Sequence, residues 1–551
     1  ERSFEASGIT PASAAFRHLA AQVDEQVGRW TAMHRSACRA TRALGVQSEA
    51  LLDLRMECLE RRRHELAAVL GRAQAGADRR VLLDTTKAIA GLPPVEVCAD
   101  GEALRRAVPL PGAGEARQRA LALQRRIDDL AADETLERVP SAVGLAEGLV
   151  AEARSLGHAG LEGEALLVLG RAQRAAGRTQ PAEGTLHDAA TRAAAARDDR
   201  TLARAWVALV GVYAKRAAYE RALAMDAAAQ ASVVRAGAEA ELGARLAVEG
   251  AWALRELGRL DEAKARYDEA LRGLDEGARP AAAALLHNGL GVVAKEQGRY
   301  ADAEAEYQHA LRAWVRAVGE HHPSVLVAKS NMAVALRYQG RVADAQALLL
   351  AVRDEGDAIL PADDPDRGLA RANLGSLLLA QRRYDEASQA FLEAKDVWTR
   401  AYGPRHLGVG NVWSDLGAIA LARGDHAGAL GFFRQALDVF DETLGPDAAH
   451  GNRPHLGLAQ AHLARGELGD ALRHSEHALT VYRASGKEPL RHGEAELVRA
   501  EVLWAARQRG EALSLARSAL ARGRGAGPGG VPLARQAETW LTSHGAPVSG
   551  G

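Results

Sequence analysis

Between Gly177 and Arg507 the chain repeats one pattern of apolar and polar positions nine times. A small or polar turn residue is followed five positions later by Ala, and seven further on usually by a second Ala. The first alanines are Ala182, Ala222, Ala263, Ala303, Ala345, Ala387, Ala429, Ala471 and Ala512, spaced by 40, 41, 40, 42, 42, 42, 42 and 41 residues. Residues 283–317 show the unit most clearly. Gly291 lies seven before the turn at Gly298, and Tyr300, Ala303, Tyr307 and Ala310 then form one stripe of a second helix, with Glu304 expected to be exposed. The segments GEHHPSV, LPADDPD, YGPRHLG and LGPDAAH, each containing Pro, close one unit and start the next. A fixed period of this size predicts helix pairs stacked in an array, each burying its apolar face on its neighbours.

The chain before the array also reads as helix. Thr10-Pro11 predicts a helix start, and the helix runs to about Leu44, where Gly45 ends it. Ser48 caps a second helix, EALLDLRMECLERRRHELAAVL, whose apolar residues recur at steps of three and four. A third fits 78–91 and stops before Pro93-Pro94. LPGAG at 110–114 reads as a linker, and helices over 115–132 and 141–156 lead into the array. The expected organisation is a helical N-terminal segment (1–109), a linker with a transitional helix pair (110–159), the array (160–522), and a flexible Gly-rich stretch with a short C-terminal helix or tail (523–551).

Composition adds that the fold is all-α: Ala, Leu, Arg and Glu dominate, aromatics are only 4%, and strand-like alternation is hard to find. Lys plus Arg number 70 against 71 Asp plus Glu, so a nucleic-acid or acidic-membrane partner is not expected. No apolar run approaches the roughly 20 residues that span a bilayer. The N-terminus, ERSFEASGIT, is polar and lacks a starting Met, so a longer parent protein is expected. Three cysteines, Cys38, Cys58 and Cys98, leave at least one thiol unpaired within the chain. The residues leave two readings open, buried free thiols on helices and a structural disulfide of unassigned pairing; a metal site is disfavoured because no CxxC spacing occurs.

No catalytic constellation stands out. Gly-rich loop, strand lysine, HRD and DFG are absent, as are GxSxG, HExxH and calcium-loop patterns. GRGAGPGG at 523–530 follows a helix and reads as a flexible tail. His321-His322-Pro323 reads as an exposed loop rather than a ligand pair. No catalytic residue, metal or cofactor is assigned.

The recurrence of small residue, turn, Tyr, Ala, aromatic and Ala in register over about 160–522 resembles the tetratricopeptide repeat in its longer, kinesin-light-chain-like form. Departures are Ala217, Arg382 and Arg507 in place of the turn Gly, and Ser475 in place of an aromatic. The resemblance implies a right-handed superhelix whose first helices line a concave groove. At ten or nine residues before the turn stand Asn288, Asn331, Asn373 and Asp415. An amide both donates and accepts, so an Asn ladder suits an extended peptide backbone. Lys295 and Arg337, about two turns further on, together with Arg371, would favour acidic groups on that ligand.

A second resemblance lies in RWTAMHRSACRATRALGVQSEALLDLRMECLERRRHEL followed by LPPVEVCAD. It is similar to the segment joining catalytic and repeat regions in myxobacterial serine/threonine protein kinases. Trp30, His34, Cys38, Gln47-Ser48, Leu52-Asp53-Leu54-Arg55-Met56, Cys58 and Cys98 carry it. That family places a kinase domain first, often then a membrane helix, then this segment. The resemblance implies an extracytoplasmic location, where two of the cysteines would pair and the third would await an upstream partner. The expected function is a non-catalytic scaffold or ligand-sensing region for a protein or extended peptide. The alternatives are a stand-alone adaptor, which would place the chain in the cytoplasm, and an enzyme with an unrecognised site in the first 110 residues.

Overall fold

A computed structural model of the chain describes residues 4, 12–74, 79–106, 109–111, 113–132, 141–237, 240–444, 451–485, 489–526 and 530–546. Among the described residues the regular elements are 25 α-helices and one 3-10 turn. The N-terminal segment holds α1 (Ala12–Arg42), α2 (Glu49–Gln74), α3 (Arg79–Ala90), the 3-10 turn Val95–Ala99 and α4 (Gly101–Arg106). The expected start at Thr10-Pro11 lies outside the described residues. Next come α5 (Gly114–Ala131) and α6 (Ala142–Leu156).

Helix pairs then follow: α7 (Ala159–Ala175) with α8 (Thr179–Ala195), α9 (Asp199–Lys215) with α10 (Tyr219–Arg235), and α11 (Ala240–Glu256) with α12 (Leu260–Arg272). Next are α13 (Pro280–Glu296) with α14 (Tyr300–Val318), α15 (Pro323–Tyr338) with α16 (Val342–Ile359), and α17 (Asp366–Ala380) with α18 (Tyr384–Tyr402). Last are α19 (Leu407–Ala422) with α20 (His426–Leu444), α21 (Asn452–Ala464) with α22 (Leu468–Ser485), and α23 (Pro489–Ala505) with α24 (Arg509–Gly525), before α25 (Val531–Ser543). Two compact units contain these helices: Glu1–Arg255, Asp261–Leu290 and His309–Val325 form one, and Glu256–Leu260, Gly291–Gln308 and Leu326–Gly551 the other. No described helix is long and apolar enough to cross a membrane.

The turn residues explain why the pairs form where they do. All nine sit at positive φ, including Ala217 (58°), Arg382 (60°) and Arg507 (62°), the three that are not glycine. At eight of these turns the following residue reaches back to a carbonyl five residues earlier, as in Arg299 N to Ala294 O at 2.8 Å, Arg383 N to Leu378 O at 3.0 Å and Gln508 N to Leu503 O at 2.9 Å. These are Schellman closures, which satisfy carbonyls that the helix end would otherwise leave open. The backbone pattern therefore persists where Arg replaces Gly, at the cost of holding an L-residue in the left-handed region.

Behind each turn the first alanine is fully buried, at 0% exposure in all nine units. Small residues on the first helix meet large ones on the second. A Cβ at Gly291 would lie 2.6 Å from the Tyr307 ring, so only glycine lets those helices close. Glu304 is not free on the surface as expected: its side chain is 16% exposed and pairs with Arg341 at 2.9 Å. Within the second unit, first helices also touch one another, α17 on α19, α19 on α21 and α21 on α23. In the first unit α7 touches α9 in the same way. First helices thus form a continuous wall within each of these runs.

Starts of first helices are capped by side chains from the Pro-containing segments. His322 Nδ1 accepts from Ser324 N at 3.0 Å, Asp364 Oδ1 from Asp366 N at 3.0 Å, and His406 Nδ1 from Gly408 N at 3.1 Å. Residues 445–450 of LGPDAAH lie outside the described residues. His322 corrects the expectation of an exposed loop: it is 1% exposed. Burial holds its imidazole well below the ordinary histidine range, and the nearby Lys87 and Arg80 act in the same direction.

Candidate functional site

The residues that carry the second resemblance converge in a small core of the first unit. Leu59, Val95 and Cys98 are buried there against Trp30, Met33 and Met56. Trp30 stacks on His34 with ring centroids 4.9 Å apart, and its Nε1–H donates to the Leu59 carbonyl at 2.7 Å. The Arg55 guanidinium, only 8% exposed, donates to the Cys98 carbonyl at 3.2 Å and to Gln47 Oε1 at 2.7 Å. Gln47 Nε2 in turn donates to Thr41 Oγ1 at 2.8 Å. Cys58 and Cys98 are joined by a disulfide with Cα atoms 5.6 Å apart, while Cys38 is a half-buried free thiol. An acid, a base and a nucleophile in mutual reach are not found in this core. Its chemistry is that of a clasp: one covalent link, one buried guanidinium and one indole tie α1, α2 and the 3-10 turn together.

The second candidate is the wall of first helices. Asn288 lies on α13 within the first unit; Lys295, Asn331, Arg337, Arg371, Asn373 and Asp415 belong to the second. Three of the charged groups are committed inside the protein. Arg337 donates to the Ser376 carbonyl at 3.2 Å and lies 4.6 Å from the centre of the Tyr338 ring. Arg371 is buried and bonded to Asp357 at 2.7 Å, with Glu393 at 3.3 Å. Asp415 pairs with Arg453 at 2.7 Å. The first and third of these are ties between neighbouring first helices, α15 to α17 and α19 to α21. Asn288 and Asn331 also have interactions within the chain. Among the described residues Lys295 and Asn373 are half-buried, and neither shows an internal tie of this kind. The same unit holds an aromatic pair that sequence reasoning missed. Tyr338, 42% exposed, stacks on Tyr300 at 4.8 Å. Its signal was a tyrosine two residues before one turn facing the tyrosine two after the preceding turn.

Also missed was a group of histidines in the pair α21–α22. His455 and His462 stand seven apart on the first helix, and His474 and His477 three apart on the second. Both spacings place the members of each pair on one helix face.

The tetratricopeptide repeat profile matches residues 281–354 and 366–442. These stretches, corresponding to α13–α16 and α17–α20, are tetratricopeptide repeats. No curated protein sequence matches the chain. Among solved structures, BtubC (BKLC) from P. vanneervenii is 16% identical, with 47% of this chain and 95% of that one covered and a TM-score of 0.33. The nearly identical repeats of a putative kinesin light chain from Podosopora anserina are 20% identical, covering 36% and 96%, with a TM-score of 0.31. A Rap protein complexed with Competence and Sporulation Factor is 11% identical, covering 62% and 98%, with a TM-score of 0.42.

Proposed function

We propose that the array is a protein-interaction scaffold whose first-helix wall receives an extended peptide, and that the chain is the non-catalytic region of a bacterial serine/threonine protein kinase. The division into segments 1–109, 110–159, 160–522 and 523–551 belongs to the same proposal. The observation that carries the scaffold reading is the second unit's wall. Tetratricopeptide helices touch there in succession, their own charges are largely paired, and Asn373, Lys295 and the exposed Tyr338 ring remain available. One neutral hydrogen bond contributes about 0.5–1.5 kcal/mol net, so several contacts along an extended ligand have to act together. The kinase reading is supported by the residues of the clasp, which are those of the resembling segment, and their roles here are structural.

Selection of peptides from a displayed library on the whole chain tests the scaffold reading. Binders should lose at least tenfold in affinity to the double variant Lys295→Ala and Asn373→Ala, with helicity preserved because Ala is the better helix former. Acidic binders should also weaken as salt rises, through Lys295. Equal affinity for parent and variant would remove the wall as the site. Reading the coding sequence upstream of Glu1 tests the kinase reading: in-frame HRD and DFG motifs support it, and a start codon without them favours a stand-alone adaptor.

A further inference from the structure

The balanced charge of the whole chain conceals one uneven place, the tip of the α1–α2 hairpin. Arg35, Arg39 and Arg42 follow one another at steps of four and three on the last turns of α1, which puts them on one face. That face is the back of the helix, because Trp30 and Met33 pack into the clasp and Ala37 is fully buried on the opposite side. All three arginines are exposed, and among the described residues none has a side-chain ion pair or hydrogen bond. By contrast, Arg29 of the same helix is held by Glu96 at 2.8 Å, and Arg61 of α2 by Asp128 at 2.6 Å. A Cβ at Gly28, on that face, or at Gly45, beyond it, would meet nothing within 4 Å, so the face lies open at both points. Past the arginines the loop holds two apolar side chains in solvent, Leu44 at 57% exposure and Val46 at 77%. The loop is tied to the helix end: Leu44 N donates to the Arg39 carbonyl at 2.9 Å and Val46 N to the Ala40 carbonyl at 3.0 Å, around Gly45 at φ 62°.

We propose that this hairpin tip docks on the surface of an anionic lipid bilayer, with Leu44 and Val46 entering the headgroup layer and Arg35, Arg39 and Arg42 pairing with lipid phosphates. A guanidinium presents two parallel N–H groups to phosphate oxygens, which suits it to that partner. A helix C-terminus favours cations, which accounts for Arg39 and Arg42 as charges. It accounts neither for Arg35 nor for two apolar side chains held in water. A soluble acidic partner would engage the arginines and leave Leu44 and Val46 unused. A surface with phosphates outside and hydrocarbon beneath engages both sets at once.

The acidic residues nearby leave this face basic. Asp24 shares it but stands eleven residues before Arg35, about 16 Å back along the helix axis. That is roughly two screening lengths at physiological salt. Glu49 and Asp53 belong to the other arm of the hairpin, at the start of α2. The surface is small, so the attachment is weak and depends on salt: each arginine close to an anionic bilayer contributes roughly fivefold in partitioning.

The test is co-flotation of the full chain with phosphatidylcholine vesicles containing about one third phosphatidylglycerol. The chain should float with these vesicles at low salt, stay behind with phosphatidylcholine alone, and detach as salt rises. The triple variant Arg35→Gln, Arg39→Gln and Arg42→Gln should partition on the order of a hundredfold less. Leu44→Ser with Val46→Ser should weaken binding while leaving its salt dependence unchanged. Arg312→Gln with Arg316→Gln, exposed on α14, should float like the parent. All the replaced side chains lie outside the core, so melting curves should match the parent. Flotation that survives either hairpin variant intact would overturn the proposal, as would an equal loss in the Arg312 and Arg316 variant. Heparin binding through the same three arginines, with no flotation on the anionic vesicles, would overturn it in favour of a soluble polyanion.

Discussion

In the repeat array one small residue, nine times over, is sealed between two helices; in the segment before it no contact recurs, and each tie is particular. There, Cys58 is bonded to Cys98 and Arg55 holds the Cys98 carbonyl. Arg61 reaches from α2 to Asp128 of α5 at 2.6 Å and Glu164 of α7 at 2.7 Å. Burial is the largest influence on that aspartate and pushes its carboxyl up to about 6. An array spreads its stability over many similar nearest-neighbour interfaces, so one change is felt locally. A segment held by single ties concentrates it, and breaking one buried charge pair leaves the other charge uncompensated. The difference is one of redundancy: the array can lose a contact and remain an array.

The sharpest way to break this comparison is at the disulfide. Replacing Cys58 and Cys98 with Ala opens a loop closed over a sequence separation of 40 residues. The chain-entropy relation makes such a closure worth about 4 kcal/mol. Hydrogen exchange should rise across α1, α2 and the 3-10 turn and stay unchanged in α17–α20. A uniform rise in both regions would dissolve the distinction.

A smaller effect tests the array itself. Ala387→Leu overpacks a fully buried contact between α17 and α18 and should cost about 1–3 kcal/mol. The same substitution at Ala343, on the exposed side of α16, should stay within about 0.5 kcal/mol. Equal shifts of the denaturant midpoints would show that the alanine is not what fastens the pair.

The smallest effect is at a turn. Arg382 holds φ at 60°, so Arg382→Gly should gain up to about 1 kcal/mol, less the extra freedom that glycine adds to the unfolded chain. A loss there would mean that the Arg382 side chain contributes more than its backbone costs.

The fold was legible because both of its determinants are local. A turn residue and an alanine five positions later fix one pair, and repetition fixes the rest. Even the departures were readable: Ala217, Arg382 and Arg507 keep the same backbone as the glycines they replace. At Ser475 the missing aromatic is answered by Arg499 from the next first helix, which donates to Ser475 Oγ at 3.1 Å and to the Leu472 carbonyl at 2.8 Å. The site was less legible. Spacing showed which helix carries Arg371 and Asp415, but Asp357 and Arg453, which pair with them, approach from α16 and from the next first helix, α21. His322 gave no local sign of burial, since α3, which lies against it, comes from far earlier in the chain. The cysteine pairing likewise depends on where the short turn after Pro94 brings Cys98, which no periodicity specifies.

The last helix has a consequence for assembly. The Gly-rich stretch expected to be flexible begins as part of α24, which continues to Gly525. Gly523 there lets the backbone of α25 approach so closely that a Cβ would lie 2.6 Å from Ala534 N. Leu533, Ala537 and Leu541 of α25 then cover the apolar face of the final pair. A stack of like units has no intrinsic stopping point, and an uncovered final face presents to another molecule what each unit presents to its successor. Without α25 the apolar face of the α23–α24 pair would lie open to solvent, and an exposed apolar face of this kind favours association with other molecules.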